Sequence, residues 1–266
     1  MTSLLSLDLN ARLVLAQDTA REAGEKALDY FHRRETLVIE TKRDLQDVVS
    51  IADRDVESLI RCRIATAYPD DGFLGEESGY HTGTSGYIWV VDPIDGTSPF
   101  VNGMPNWCVS IAVLFAGKPA IGVIMAPCLQ ELYVAAEGIG ATLNQQPIRI
   151  DVTRNLRNAV TGIGANSYVS PAQVADIVEK LLETGGNFIR IGSGALMLAW
   201  VAAGRLVGYY EPYMHAWDCL AGYCLVKEAG GWIHPFDTEG ERLMKGAQVL
   251  ACFPGAVADL KRIAGI

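Results

Sequence analysis

The residues best suited to chemistry lie in one short stretch, Tyr87-Ile88-Trp89-Val90-Val91-Asp92-Pro93-Ile94-Asp95-Gly96-Thr97-Ser98. Tyr87 to Val91 is apolar, β-branched or aromatic and uncharged, the composition of a strand buried on both faces. The strand is expected to stop at Asp92-Pro93, because Pro93 has a fixed φ and no N–H to give to a ladder. Asp92 and Asp95 thus arrive together at the end of a buried strand, close enough to share one cation or two neighbouring ones. Gly96-Thr97-Ser98 follows, with small residues whose backbone N–H groups can point at an anion. Carboxylates beside anion-binding amides suggest a metal ion with a phosphate. Asp-Pro and Asp-Gly are also ordinary turn pairs. The reading therefore leans on two other segments, Gly75-Glu76-Glu77-Ser78 just upstream and His215-Ala216-Trp217-Asp218 far downstream.

Several elements must position these groups. Leu9, Leu13, Ala16, Ala20, Ala23, Ala27 and Tyr30/Phe31 recur at helical spacing, predicting a long amphipathic helix over 9–33. The segment from Leu37 to Ser50 breaks that period and reads as an exposed hairpin or loop. A second helix starts near Asp53, with Val56, Ile60, Ile64 and Ala67 on one face, and ends at Pro69-Asp70-Asp71-Gly72. Asp53 lies in its first turn, where the helix dipole favours a negative charge. After the central stretch, Trp107 to Phe115, Lys118 to Met125 and Glu131 to Ala136 read as an antiparallel meander. Beyond Asp151 the pattern alternates: strand 160–164, helix 171–183, strand 188–191, helix 195–203, strand 206–210. A last helix, from about Trp217 to Ala229, opens on Asp218 and closes on Gly230-Gly231.

The 266 residues, 50% hydrophobic, suffice for a large core arranged as one large domain or two intimate ones. A net charge of −9 argues against nucleic acid or an anionic membrane surface as an obligatory partner. No run approaches the roughly 18 apolar residues of a membrane span, and the N-terminus lacks a basic region ahead of an apolar one, so a cytoplasmic location is expected. Six cysteines without a CxxC pair read as buried, reduced thiols. The four histidines, His32, His81, His215 and His234, read as structural or surface residues.

Gly75-Glu76-Glu77-Ser78, Trp89-Val90-Val91-Asp92-Pro93-Ile94-Asp95-Gly96-Thr97, and Trp217-Asp218 with Glu228-Ala229-Gly230-Gly231 are similar, in order and spacing, to the motifs of the inositol monophosphatase family of magnesium-dependent, lithium-sensitive phosphatases. The resemblance runs from about Arg12 to Gly255. It implies a layered α-β-α-β-α sandwich of the inositol monophosphatase and fructose-1,6-bisphosphatase type. Residues 1–266 would form one unit, with an N-terminal α+β half over 1–150 holding an antiparallel sheet and the metal motif, and a C-terminal α/β half over 151–266. Glu76, Asp92 and the carbonyl of Ile94 would hold a first magnesium ion, and Asp92, Asp95 and Asp218 a second, with two or three ions in all. Four carboxylates in one cleft require cations, and oxygen ligands alone favour magnesium over zinc. A metal-activated water, held by Glu76 and by Thr97 backed by Asp53, would attack phosphorus in line. The N–H groups of Gly96 and Thr97, with Ser98 beside them, would hold the phosphate. Glu211, Ser193 and Gly194 would meet the alcohol. Lys42 and Asp47 match a mobile loop near the metals.

Ser98-Pro99 stands where the family often has Thr-Asn, which leaves the substrate open. The leading expectation is a phosphomonoesterase for inositol 1-phosphate or a similar small alcohol phosphate, working as a homodimer on a small metabolite. Histidinol phosphate, fructose 1,6-bisphosphate and adenosine 3′,5′-bisphosphate are the enzymatic alternatives. A regulatory protein-binding role, as some bacterial relatives have with the transcription machinery, is the non-enzymatic one.

Overall fold

A computed structural model describes residues 4–36, 39–41 and 48–266 of the chain. The N-terminal part runs α1 (Leu4–His32), β1 (Ile39–Thr41), β2 (Val48–Ser50), α2 (Ile51–Ala67), β3 (Gly72–Gly75), β4 (Gly79–His81), β5 (Tyr87–Asp95) and α3 (Thr97–Val101). The meander follows as β6 (Cys108–Phe115), β7 (Lys118–Ala126), β8 (Glu131–Ala136), β9 (Gly140–Leu143) and β10 (Gln146–Ile148). Then come β11 (Val160–Ile163), α4 (Pro171–Glu183), β12 (Asn187–Ile189), α5 (Gly194–Ala202), β13 (Gly208–Met214), α6 (Ala216–Glu228), β14 (Trp232–Ile233), β15 (Ala247–Cys252) and α7 (Val257–Ala264).

Two sheets carry the molecule. The first has the order β10-β9-β8-β7-β6-β5-β3-β4, the second β12-β11-β13-β15-β14, while β1 and β2 pair only with each other. Helices α1 and α2 pack on the first sheet, α5 and α6 contact both sheets, and α4 packs against α7, which lies on β13 and β15. This is the α-β-α-β-α layering. Its cause is visible in β5 and β6, whose side chains alternate between two cores. Trp89, Val91, Val109 and Ile111 face the Ala16, Ala20, Ala23 and Ala27 stripe of α1, while Val90, Cys108 and Ala112 face α5 and α6. A strand covered on both faces reads as a continuous apolar run. Small residues also set the layer spacing: a Cβ on Gly122 of β7 would lie 2.3 Å from the carbonyl oxygen of Ala221 in α6.

One boundary differs from expectation in a useful way. Strand β5 does not stop at Val91 but continues through Pro93 to Asp95. Pairing with β6 shifts register there, from Asp92 opposite Ser110 to Asp95 opposite Cys108. Two residues, Pro93 and Ile94, thus oppose the single Val109, so proline sits in a bulge where no ladder donor is required. The strand expected over 206–210 is also displaced, to Gly208–Met214, because the N–H groups of Arg205 and Leu206 still bond back to Trp200 at the end of α5. Short β3 and β4, β15 and α7 were not foreseen. Among the described residues no helix is long and apolar enough to cross a membrane.

A buried ion pair ties α1 to this framework. Arg12 Nε and Nη2 each donate to Asp71 at 2.8 Å, with both side chains buried. The guanidinium lies between the rings of Tyr68 and Tyr87, at 4.0 and 3.7 Å from their centroids, and Trp89 Nε1 donates to the same carboxylate at 2.8 Å. Burial alone would raise the Asp71 carboxyl, but hydrogen bonds from Arg12, Ser85 and Trp89 bring it below its ordinary value. Removing one member of such a pair strands the other charge. Arg12→Met is expected to lower the free energy of unfolding by about 3 kcal/mol in urea titrations. The wild type keeps this contribution above the ordinary carboxylate value of about 4 and loses it as the pH falls through the lower folded-state value.

Candidate functional site

The bulge in β5 places Asp92 and Asp95 at the edge of a cavity of about 640 Å³ that Asp95, Asp218 and Glu76 line at one end. Asp92 Oδ1 accepts the N–H of Ile94 at 2.9 Å, which stabilises the bulge itself. Asp95 reaches across to α5, where it accepts from Ser193 Oγ and from the N–H groups of Gly194 at 3.3 Å and Ala195 at 2.8 Å. Asp218 stands in the first turn of α6 and accepts the N–H of His215 at 2.9 Å. Ser110 Oγ of β6 donates to the carbonyl of Trp217 at 3.1 Å, fixing that turn to the first sheet. Oxygen atoms of Asp92, Asp95 and Asp218 lie within 4.8 Å of one another.

The electrostatics explain what the cluster requires. Burial, followed by the charges of Glu76, Asp95, Asp218 and Asp53, pushes the Asp92 carboxyl well above its usual range. Burial and then Asp95 and Glu76 do the same to Asp218. Burial also raises Asp95, against the opposing hydrogen bonds from α5. Buried, mutually repelling, oxygen-only donors fit a hard divalent cation such as magnesium, which would relieve the repulsion that raises them.

The neighbouring groups come from α2 and α3. The single Thr97 hydroxyl proton has two acceptors in reach, Asp53 Oδ1 at 3.4 Å and the carbonyl of Ile94 at 3.2 Å. Asp53 is buried in the first turn of α2. Gly96 has φ +96°, and a Cβ there would meet the carbonyl oxygen of Asn106 at 2.9 Å and Ser193 Cβ at 3.1 Å, so only glycine fits. Thr97 and Ser98 open α3, with Pro99 in the same turn. Glu76 is held by its own N–H, which donates to the carbonyl of Val91 at 3.2 Å. Glu57, which no motif marked, holds the next two residues: its carboxylate accepts the N–H groups of Glu77 and Ser78, each at 2.8 Å. Its only sequence signal is its place one helical turn after Asp53 on the buried face of α2.

The same cavity is lined by Glu211, which is buried and accepts from Tyr209 Oη and, at 3.0 Å, from Asn166 Nδ2. Burial pushes its carboxyl up to about 7, with Asp95 adding to the rise and Tyr209, Arg190 and Asn166 opposing it. Ser193 and Gly194 line the same space, although the Ser193 hydroxyl is engaged by Asp95. His215, read as structural, also lines the cavity and stacks on Trp217. Lys42 and Asp47 lie outside the described residues.

Residues 8–261 match the model of the Inositol monophosphatase family. The chain is 35% identical to the Nus factor SuhB of Haemophilus influenzae over 247 residues, 91% of this chain and 92% of that protein. It is likewise 35% identical to the inositol-1-monophosphatase of Rhizobium meliloti over 252 residues, 93% of this chain and 91% of that protein. Among solved structures it is similar to the extragenic suppressor protein SuhB of Bartonella henselae, with a TM-score of 0.88 and 32% identity across 96% of this chain and 98% of that one. These relatives correct the expectation, drawn from net charge, that nucleic acid is no partner: Nus factor is the name of a transcription factor. Net charge sums over the whole surface, whereas a partner meets one patch of it.

Because the carboxylates repel each other when no cation is bound, Asp92→Asn is expected to melt about 3 °C or more above the wild type in chelator. Its rise in Tm on adding magnesium should be smaller than that of the wild type. Differential scanning calorimetry with and without chelator reads both.

Proposed function

This chain belongs to the inositol monophosphatase family, and on that premise we propose that it is a metal-dependent phosphomonoesterase of small alcohol phosphates, with inositol 1-phosphate as the reference substrate. The observation that carries the reading is the convergence of Asp92 and Asp95 from β5 with Asp218 from α6 on one buried point, beside the first turn of α3. Glu76, Asp92, the carbonyl of Ile94, Asp95 and Asp218 are the residues that would hold magnesium. Bound there, magnesium supplies positive charge for the phosphoryl oxygens and acidifies water in its shell.

The chain's own groups do the rest. Asp53 engages the Thr97 hydroxyl proton, leaving that oxygen's lone pairs to receive a hydrogen bond from the attacking water. The Glu76 carboxylate, in the same cavity, accepts the water's other proton and sets the line of attack. The N–H groups of Gly96 and Thr97, at the start of α3, hold non-bridging oxygens as negative charge builds on them. Glu211 receives hydrogen bonds from hydroxyl groups on the departing alcohol. A cavity walled on one side by buried strands keeps other water from diluting these interactions.

A second reading, regulation through a protein complex, is favoured by the Nus factor name that several relatives bear. Phosphate release from inositol 1-phosphate, histidinol phosphate, fructose 1,6-bisphosphate and adenosine 3′,5′-bisphosphate, in magnesium and in chelator, tests the first against the second. Turnover that needs magnesium and falls more than about 100-fold in Asp92→Asn is expected. A folded, magnesium-saturated protein that releases phosphate from none of them would reject it and leave the regulatory reading. Since the Glu211 carboxyl is raised to about 7, it is protonated below neutrality and accepts hydroxyl hydrogen bonds fully only above it. For a polyol phosphate, 1/KM is therefore expected to rise as the pH passes 7, and Glu211→Gln should flatten that step in a pH series of initial rates.

A further inference from the structure

The loop that carries Glu76 is held from outside. Residues 76–78 join β3 to β4, with Gly75 paired to Gly79 across the hairpin and Gly79 at φ +73°. A three-residue loop with glycine in the left-handed region closes a hairpin without help from another element. Here a helix supplies help all the same. The buried Glu57 carboxylate of α2 divides between two successive amides: Oε2 accepts the N–H of Glu77 and Oε1 that of Ser78, each at 2.8 Å. Successive N–H groups converging on one anion form a nest, and in this one the anion is a side chain of the protein itself.

The fit is close. A Cβ on Gly75 would lie 2.5 Å from Glu57 Cδ and Oε2 and 2.7 Å from Oε1, so the carboxylate rests against the backbone at the end of β3. The Glu76 N–H donates to the carbonyl of Val91, the residue before Asp92. Glu76 therefore stands between two fixed points, β5 through its own amide and α2 through the next two. Of the charges acting on Asp92, that of Glu76 is the strongest, which puts its carboxylate beside the cluster. Burying a carboxylate costs free energy that only satisfied hydrogen bonds recover. An amide side chain in its place offers one acceptor where the loop needs two.

We propose, resting on the phosphatase reading above, that Glu57 is a positioning residue: by gripping the amides of Glu77 and Ser78 it fixes the Glu76 carboxylate where it would meet magnesium and the attacking water. A misplacement of about 1 Å at such a group is enough to lower a rate about 100-fold. Glu57 touches neither substrate nor metal in this scheme, and its effect passes through Glu76.

Calorimetric titration with magnesium, and initial rates with whichever ester of the panel above turns over fastest, test this on the wild type, Glu57→Gln, Glu76→Gln, the double variant and Ile64→Val. Ile64 lies on the buried face of α2 about two turns beyond Glu57. Its truncation loosens the packing of the helix and leaves the two loop hydrogen bonds in place. Glu57→Gln is expected to lower kcat about 30-fold with KM changed less than about twofold, and to weaken magnesium binding about tenfold. Ile64→Val should keep both kcat and magnesium affinity within about twofold of the wild type. In the Glu76→Gln background, Glu57→Gln should weaken magnesium binding by less than about a further twofold, because a group acting through Glu76 has nothing left to act on. Hydrogen exchange at the Glu77 and Ser78 amides should quicken in Glu57→Gln and not in Ile64→Val. If Glu57→Gln melts below the assay temperature, Glu57→Asp, which keeps both acceptors on a shorter arm, is read by the same criteria. A folded variant with wild-type kcat or wild-type magnesium affinity, equal losses in Ile64→Val, or an undiminished loss in the Glu76→Gln background overturns the proposal. A wild type that turns over no ester defeats the phosphatase reading instead, and the magnesium titrations then decide the role of Glu57. Weaker binding in Glu57→Gln that vanishes as a difference in the Glu76→Gln background sustains it, and unchanged binding, or none in the wild type, overturns it.

Discussion

The arrangement of this molecule depends on keeping three like-charged carboxylates together in a poorly hydrated place. Asp92 and Asp95 come from a strand of the first sheet and Asp218 from the helix layer between the sheets. Their repulsion is offset by the ends of helices. Asp95 accepts from the first N–H groups of α5, and Asp218 accepts an N–H from the residue preceding α6. Both helices turn their positive ends towards the cluster, which favours negative charge there. The hydrogen bonds from Asp95 to α5 are also a direct tie between the first sheet and the helix layer. A residue proposed to hold metal and a structural splice are therefore the same side chain.

The remaining residues divide by the part of the proposed reaction they would serve. Glu76, Thr97, Asp53 and Gly96 belong to α2, α3 and the β3 and β5 ends, and are the groups proposed to meet the phosphate. Glu211, Asn166, Tyr168 and Tyr213 belong to the second sheet and its loops, and line the same cavity. The first group is held by backbone geometry, such as the left-handed Gly96 and the Pro93 bulge. The second is held by side-chain contacts. A fold built this way can retain one chemistry while the alcohol it accepts changes.

Much of the first group was legible in the sequence. A charge-free strand ending in two aspartates, followed by Gly-Thr-Ser, carries its chemistry within a dozen residues, and helix patterns located Asp53 and Asp218. What stayed hidden is whatever depends on non-local contact. Glu57 looks like one more helix charge until α2 is laid beside the Glu76 turn. Tyr168 and Tyr213 are far apart in the chain and become one surface only when Asn166 joins their loops. Pro93 reads as a terminator because a strand's own sequence does not reveal that it bulges against its partner at the proline. Strand β15 and helix α7 lack strong punctuation, and their places are fixed by pairing with β13 and packing on it. Partners were misjudged because a sum of charges has no address.

Helix α2 grips both sides of the place proposed for the attacking water: Asp53 meets Thr97, and one turn later Glu57 holds the turn that bears Glu76. With both contacts on one rigid rod, thermal tilting or sliding of α2 carries the hydroxyl and the carboxylate in the same direction. Their separation is thereby insulated from rigid-body shifts of that helix, much as a caliper keeps its gap while the hand holding it moves. Fluctuation in the outer layer becomes common-mode displacement, and the gap that would align a water with phosphorus is set by the pitch of a single helix.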